Sequence, residues 1–330
     1  MNVKILFLSL FFYGFVVTAQ QKEDSEPFGQ AYGTVYTYFN SSLNSNYTAF
    51  EVSRAYFGYK HKISEEFSAN IKLDIGSIND ESEYALIRRY SYFKNAFLAY
   101  KKNKLTINIG LIDLLQFKTQ EKFWDYRYVY KSFQDESRLG SSADIGISAT
   151  YKFNKIFTAD LTLMNGEGYK DFQSDNSFKF AAGLLLTPIK ELTARLYYDY
   201  SEKQVIQSTY SGFLGYDFKK KFKLGVEYST QTNNKFYENQ NFGGYSGFLM
   251  TKINDKIACF FRYDRLKSNK VNATDQNNWN FKKDGQLFLG GIQYKLHEKV
   301  RTALNMQIYQ SDDENEEHSE YLFINLEFNF

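Results

Sequence analysis

The chain has 330 residues, of which 19% are aromatic (28 Tyr, 32 Phe and 2 Trp), whereas only 2 are Pro and 1 is Cys. Its 40 basic and 38 acidic residues nearly cancel, so the composition gives no electrostatic footprint for nucleic acid. The mean hydropathy is −0.50, and no apolar run beyond residue 20 approaches the roughly 20 residues of a membrane-spanning helix, which excludes an α-helical membrane protein. The abundant apolar side chains exclude a disordered chain.

The first twenty residues predict export. Lys4 supplies a positive N-terminal region, residues 5–17 are a predominantly apolar and aromatic run, and Val17-Thr18-Ala19 fits the small-residue rule for cleavage. The run is too short to cross a bilayer as a helix. We therefore expect residues 1–19 to be a cleaved signal peptide and residues 20–330 to be the mature protein; a core helix or an uncleaved anchor is the alternative.

From residue 28 onward, apolar residues alternate with polar ones over segments of about 9 to 12 residues, the length that a tilted strand needs to cross a bilayer. Phe178, Phe180 and Leu184, for example, fall on one face of a strand, and Lys179 and Ala181 fall on the other. The pattern predicts sixteen strands, at 28–39, 49–60, 67–77, 91–101, 104–114, 143–153, 157–165, 177–187, 191–201, 209–219, 222–231, 242–252, 256–267, 284–295, 299–310 and 319–330.

The predicted connections alternate in length. Short turns, such as 154–156, 188–190, 220–221, 254–255 and 297–298, alternate with longer polar loops at 40–48, 78–90, 115–142, 166–176, 202–208, 232–241, 268–283 and 311–318. This pattern is typical of an all-β fold, a transmembrane antiparallel β-barrel with short periplasmic turns and long external loops.

A soluble β-sandwich has the same period of two. The export signal, the scarcity of proline, the terminal Phe330 and the aromatic residues near strand ends favour the barrel. The aromatic residues expected at the two membrane interfaces are Tyr36, Tyr38, Tyr198, Tyr200, Tyr263 and Phe330.

Part of the sequence resembles a known family. Residues 50–60 (FEVSRAYFGYK), the strand 67–74, residues 95–100 (NAFLAY), 143–147 (ADIGI) and 165–169 (NGEGY) are similar to the porin O/P, or phosphate-selective porin-like, family. The resemblance is specific only between about residues 49 and 170. It implies a sixteen-stranded passive channel, often a homotrimer.

The resemblance has one departure. Many family members carry a Pro-Phe-Gly type segment after the fifth strand, whereas this chain has QFKTQEKFW at 116–124. Phosphate selectivity in the family depends on a dense basic lining, which cannot be located here residue by residue. Anions such as phosphate are therefore only one candidate class of solute.

The longest loop, 115–142, is the third on its side, and we expect it to fold inward and constrict the lumen, which otherwise stays open in porins of this size. The alternative is that it packs on the rim as a lid or a trimer contact. Its candidate constriction residues are Lys118, Lys122, Trp124, Arg127, Lys131 and Arg138.

The alternation also predicts which charges face the lumen. If the apolar face points outward, six basic and six acidic side chains point inward: Lys152, Lys179, Arg195, Lys223, Arg262, Arg301, Asp144, Asp160, Asp199, Glu227, Asp264 and Glu327. Charges that a solute passes within a Debye length can act as a filter. Because the signs balance, a solvated wall of paired charges with little selectivity is the alternative. The facing of strands 49–60 and 242–252, and with it that of Arg54, is ambiguous.

Other motifs give weaker indications. The acidic stretch 312–317 could hold divalent cations that bridge lipopolysaccharide, or it could be a solvated loop. The chain has only three histidines, His61, His297 and His318, without metal-ligand spacing, and its glycines form no nucleotide motif. We therefore predict no cofactor, no metal and no catalytic residue.

The sequence thus predicts an outer-membrane porin through which small hydrophilic solutes or ions diffuse passively. Its predicted partners are outer-membrane lipids, lipopolysaccharide and the solutes themselves, without nucleic acid. One alternative is a non-conducting surface or adhesion scaffold, and a second is a hydrolase at the barrel rim that uses His318.

Overall fold

The computed structural model describes residues 29–75, 90–219, 221–313, 315–316 and 318–330. The expected signal peptide, residues 1–19, lies outside the described residues, as do Glu314 and Glu317 of the acidic stretch.

The described chain is almost entirely β-strand. The strands are β1 Gly29–Ser42, β2 Thr48–Lys62, β3 Phe67–Ile75, β4 Ser91–Lys102, β5 Leu105–Asp113, β6 Ala143–Lys152, β7 Phe157–Met164, β8 Lys179–Ile189, β9 Leu192–Glu202, β10 Ile206–Phe218, β11 Phe222–Thr232, β12 Phe242–Lys252, β13 Ile257–Ser268, β14 Gly285–His297, β15 Val300–Ser311 and β16 Ser319–Asn329. Two short helices, α1 Lys118–Trp124 and α2 Phe133–Glu136, lie between β5 and β6. None of the helices among the described residues has the length and apolar content to span a membrane.

The strands form a closed antiparallel barrel in which each pairs with its neighbours along the chain, and β1 pairs with β16. Gly33 and Phe330 complete this seam with two backbone hydrogen bonds of 3.1 Å. Closure satisfies the backbone donors and acceptors of every strand and leaves no open edge. The predicted all-β barrel of sixteen strands is therefore confirmed.

The connections alternate as expected. The segments 63–66, 103–104, 153–156, 190–191, 253–256 and 298–299, together with residues 219 and 221, lie at one end of the barrel, here called the turn end. The segments 43–47, 114–142, 165–178, 203–205, 233–241 and 269–284 lie at the other, the loop end, as do the described residues 90, 312, 313, 315, 316 and 318. The connection expected at 202–208 is only 203–205, because β9 and β10 pair as far as Glu202 and Ile206.

The two faces of the wall have the expected polarity. On β9, Leu196 points outward with 54% of its surface exposed, while its neighbour Arg195 points inward and is 3% exposed. Isoleucines and leucines on β6 and β7 likewise point outward. The outer surface is apolar, as a surface that contacts lipid must be.

Strand β2 lacks clean alternation because it contains a β-bulge. Tyr36 pairs with Arg54 and Thr37 with Val52, so Ser53 has no partner across the ladder. The extra residue switches the outward set from even to odd positions: Phe50 and Phe57 both point outward, 83% and 46% exposed. Arg54 consequently faces the lumen.

The predicted aromatic belt is partly wrong. Tyr198 points outward and contacts Tyr210, with ring centroids 4.9 Å apart. Tyr36, however, packs against the buried cluster inside the barrel, and Tyr38 contacts the inward-facing Phe323. Inside the lumen these rings meet other side chains instead of lipid headgroups.

Candidate channel constriction

Residues 114–142, here called the inner loop, lie inside the barrel. The chain leaves the wall after Asp113, forms α1 and α2, and rejoins the wall at Ala143. Helix α1 ends because Asp125 adopts a left-handed conformation (φ 62°), from which its amide donates to the Glu121 carbonyl at 3.0 Å. Trp124, at the end of α1, is only 1% exposed.

The inner loop packs across the lumen on the inward faces of β10 and β12–β15. Trp124, Tyr126, Tyr128 and Val129 form one buried cluster with Phe213, Phe248, Met250, Phe260, Leu287, Leu289 and Ala303 of the wall. Burying a large apolar side chain stabilises a fold by roughly 1.5–3 kcal/mol, so this cluster fixes the loop firmly. The same cluster explains why the inward residues Phe248 and Met250 of β12 are apolar: they contact the loop.

Arg262 of β13 attaches the inner loop at its centre. Its Nε and Nη2 donate to Asp264 at 2.8 and 2.6 Å, and its Nη1 donates to the Lys131 carbonyl at 2.6 Å. The guanidinium lies 5.3 Å from the ring centroid of Trp124 and 5.4 Å from that of Tyr130. A planar cation suits both the paired carboxylate and the aromatic faces.

Further hydrogen bonds attach both halves of the loop to the wall. Gln134 donates to the Ser211 hydroxyl at 2.8 Å and to Glu227 at 3.2 Å. Asn325 donates to the Tyr128 carbonyl at 3.0 Å, and Gln231 donates to the Leu139 carbonyl at 3.1 Å. Side chains of the wall therefore satisfy carbonyl groups of the loop backbone that would otherwise be buried without a hydrogen bond.

The opposite face of the inner loop is charged. Arg127 pairs with Glu121 at 2.8 Å and with Asp135 at 2.6 Å. Burial alone would raise the pKa of Asp135, but the Arg127 guanidinium holds the pKa of that carboxyl below its usual range.

This charged face connects with the wall. Lys118 of the loop and Lys72 of β3 both approach Asp113, at 3.7 and 3.8 Å. Lys118 also lies 3.8 Å from Glu121. The charges of the loop and of β3–β5 thus form one network inside the barrel.

Two cavities lie on either side of the inner loop. The loop-side vestibule, 740 Å³, opens at the loop end and is bordered by Tyr130, Phe133 and Arg138 of the inner loop. The turn-side vestibule, 320 Å³, is bordered by Asp125 and Tyr126 and by the turns of β11–β15. The inner loop therefore separates the two ends of the lumen.

The predicted constriction residues take different positions. Trp124 lies in the packed interior, Arg127 belongs to the charged face with 17% of its side chain exposed, and Lys118 belongs to the charge network. Lys131 pairs with Glu136 at 3.3 Å, whereas Lys122 and Arg138 are exposed.

Most of the predicted lumen charges are paired. Arg195 forms two hydrogen bonds with Asp160, at 2.5 and 3.0 Å, and Arg301 contacts Glu327 at 2.9 Å and Asp125 at 3.2 Å. Lys223 lies 3.9 Å from Asp217, and Asp199 accepts hydrogen bonds from Tyr197 and Thr209. Asp144 accepts from the backbone amides of Ile145, Gly166 and Gly168. Lys179 is 9% exposed, whereas Lys152 is exposed at the turn end.

The sequence reading missed a second inward cluster on β2–β4. Arg54 pairs with Asp74 at 2.6 Å. Lys94 donates to the Ser142 hydroxyl and lies 3.7 Å from the ring centroid of Tyr169. Ser53 and Lys94 occupy register irregularities, which hide the facing of their strands from a period-two pattern.

The rim position His318 is exposed, and its backbone carbonyl accepts from Asn44 at 3.0 Å. Among the described residues, no three His, Cys, Asp or Glu side chains are grouped so as to hold a metal ion. The hydrolase alternative gains no supporting contact from the described part of the chain.

Neither a protein-family model nor a curated protein matches this sequence. Solved structures do match. OmpF of Salmonella typhi, in a complex with daunomycin, superposes with a TM-score of 0.71 at 11% identity, over 92% of this chain and 97% of that one. OprB of Pseudomonas putida gives 0.71 at 8% identity, over 92% and 94%. The chain has a porin-like barrel fold.

The outer-membrane channel DcaP of Acinetobacter baumannii has the same fold, with a TM-score of 0.63 at 11% identity over 92% of this chain and 97% of that chain. At such low identities the likeness shows the fold alone. It does not extend to solutes or to individual residues.

Proposed function

We propose that this porin-like barrel is a passive channel in the bacterial outer membrane that admits small hydrophilic solutes or ions without a catalytic step. One observation carries the proposal: the inner loop lies inside a closed barrel and separates two vestibules that open at opposite ends. Such an arrangement narrows a water-filled lumen without removing its two mouths.

The width and field of the channel are set where the inner loop meets β2–β5. Arg54, Lys72 and Lys118 line this region together with Asp74 and Asp113. Since these charges are paired, they hold the loop in place more than they repel a solute.

Anions are the solute class that the charges favour. Basic residues outnumber acidic ones in the lining of the turn-side vestibule: Lys221, Lys223, Lys252, Lys256, Lys295, Lys299 and Arg301 against Asp125, Asp255, Glu298 and Glu327. A mouth rich in cations raises the local concentration of anions and their entry rate. The resemblance to the porin O/P family makes phosphate the first anion to test.

The test is conductance in a planar bilayer. We expect stable steps, and in a KCl gradient we expect a reversal potential shifted toward the chloride value. Replacing Lys256 and Lys299 by Gln should reduce that shift, whereas replacing Lys155 by Gln should not, because Lys155 is exposed at the same end of the barrel but does not line this vestibule. A protein that inserts and folds but shows no steps would overturn the channel.

A non-conducting scaffold is the second candidate, because the inner loop is packed so tightly. Trp124 and Phe133 are nearly inaccessible, and Arg127 is held by two carboxylates. In that case the wild-type barrel gives no steps and deletion of residues 118–136 creates them. A channel gives steps in both forms.

We also propose that the protein is exported by its signal peptide and that its outer face contacts lipid and lipopolysaccharide. A homotrimer is the assembly we propose. One structure of the same fold, OmpT of Vibrio cholerae folded in vitro, is described as a trimer form; it has a TM-score of 0.57 and 12% identity over 92% of this chain and 99% of that chain.

A further inference from the structure

We propose that the loop-side vestibule is a binding site for small ring-bearing anions such as aromatic carboxylates. The proposal rests on the proposed channel and names the solute class that its entrance selects. Its volume of 740 Å³ lies within the range of about 300–1,000 Å³ that is usual for small-molecule sites.

Aromatic side chains form much of the vestibule lining. Trp279 is fixed there, because its Nε1 donates to the Asn241 carbonyl at 2.8 Å and its ring packs nearly perpendicular to that of Phe242, with the ring centroids 5.6 Å apart. Tyr309 is fixed by a hydrogen bond to the Lys283 carbonyl at 2.8 Å, and Tyr237 and Tyr321 also line the cavity. Fixed rings offer faces and edges against which a planar ring of a solute packs.

The same lining carries cations that have no carboxylate partner. Within the described part of the chain, Arg138, Lys235, Lys282 and Lys283 belong to no ion pair. These four come from three segments, the inner loop and the connections 233–241 and 269–284. They converge on the mouth, and each can donate a charge-assisted hydrogen bond to a carboxylate.

The acidic groups of the vestibule are already neutralised. Asp264 is bound by Arg262 at 2.6 Å, and Glu136 lies 3.3 Å from Lys131. The cations that remain therefore give the vestibule a net positive field. An anion is favoured there over a cation of the same shape.

Two of the cations sit on strained backbone. Arg138 and Lys235 have φ values of 57° and 54°, in the left-handed region that side chains other than glycine seldom adopt. Such conformations persist only where the surroundings impose them, and they concentrate at functional sites.

The test uses Trp279 as a reporter. The chain has 2 tryptophans, so Trp124→Phe leaves Trp279 as the only indole. In detergent we expect 4-nitrobenzoate to quench its emission saturably and 4-nitrobenzyl alcohol, which has the same ring without charge, to bind at least tenfold more weakly. Benzoate should relieve the quenching, whereas acetate should not.

The matched variants separate this vestibule from the other. Replacing Lys282 and Lys283 together by Gln should weaken 4-nitrobenzoate binding several-fold, while replacing Lys256 and Lys299 by Gln should leave it unchanged. If Trp124→Phe does not fold, equilibrium dialysis of benzoate with the unaltered chain measures the affinity of the vestibule instead.

Equal binding of the neutral alcohol, loss of binding in both double variants, or an absence of saturation in both assays would overturn the site. The channel is tested separately. Binding without conductance steps would overturn the channel and leave the site, and conductance steps without binding would do the reverse.

Discussion

Arg262 shows how one wall residue can decide the position of the inner loop. It is 1% exposed, it forms two hydrogen bonds with Asp264, and it holds the Lys131 carbonyl while lying over two aromatic rings. The sequence pattern predicted it on the inward face, either in a charge filter or in a solvated wall of paired charges. Because its charge is neutralised by the ion pair with Asp264, we expect Arg262 to fix the position of the loop and not to determine ion selectivity.

We predict that Arg262→Gln lowers barrel stability by about 3–5 kcal/mol, since it leaves Asp264 buried without its partner. The freed inner loop should make single-channel current larger and noisier while the reversal potential stays unchanged. Denaturant titration followed by Trp124 emission in a Trp279→Phe background, together with bilayer recording, measures both effects.

The matched control is Arg265→Gln on the same strand. Arg265 pairs with Asp312 at 2.5 Å in a partly exposed position, where an ion pair is worth about 0–1 kcal/mol. A change of reversal potential in Arg262→Gln, with steady current, would show that Arg262 is a filter residue after all.

Asp175 gives a prediction about pH at the rim. A hydrogen bond from Lys203 at 2.5 Å, and then bonds from Ser177, lower the pKa of the Asp175 carboxyl to about 2. Because this folded value is below the usual one of about 3.9, the contact contributes stability above about pH 4. That contribution is lost as pH falls from about 4 to about 2.

Carbon-13 titration of the carboxylates measures this pKa. We expect Lys203→Met to raise the pKa of Asp175 toward its usual value and Lys155→Met, at the other end of the barrel, to leave it alone. An unchanged pKa in Lys203→Met would mean that Ser177 alone holds the carboxylate.

At the scale of elements, the inner loop and strands β10–β15 depend on each other. The wall there is apolar inside because Trp124, Tyr126 and Tyr128 cover it. Elsewhere on the wall, as at Arg195 and Asp160, the inward face is polar.

We predict that deletion of residues 118–136 raises single-channel conductance several-fold and also destabilises the barrel, because Phe248, Phe260 and Leu289 become exposed to water. Deleting residues 270–277 of the connection 269–284 is the control, since this connection borders only the loop-side vestibule. Unchanged conductance after the inner-loop deletion would show that the loop does not limit the current.

At the scale of the whole molecule, the sequence predicted what depends on local pattern. Sixteen strands, their alternation and the unequal connections follow from a period of two and from chain order. The ladder leaves one residue out at Ser53, so no fixed period could place Arg54. Strand β12 was ambiguous because its inward Phe248 and Met250 look like a second lipid face.

The candidate site was less predictable, because its contacts join distant parts of the chain. We expected the inner loop to fold inward, but its attachment to Arg262 joins residues 131 positions apart, and that to Asn325 joins residues 197 apart. The spacing of residues in the sequence does not predict contacts between such distant positions. No motif in the sequence marks cations such as Lys235 and Lys283, which the fold brings to one cavity.

A homotrimer is the prediction at this scale. Native mass spectrometry of the protein released from detergent should give three times the chain mass, since a porin-like barrel has a continuous apolar belt with room for protein contacts as well as lipid. A single-chain mass in every mild detergent would contradict it. The conductance test is independent of this result.

The apolar inner face of β10–β15 has a consequence for the chain before it folds. Segments such as 242–252 carry apolar side chains on both faces, so neither lipid alone nor water alone suits them. Until the inner loop docks, this part of the chain presents an adhesive surface to other copies of itself. To reach the membrane without aggregating, strands β10–β15 therefore need to be kept from contact with other chains for longer than strands β1–β9.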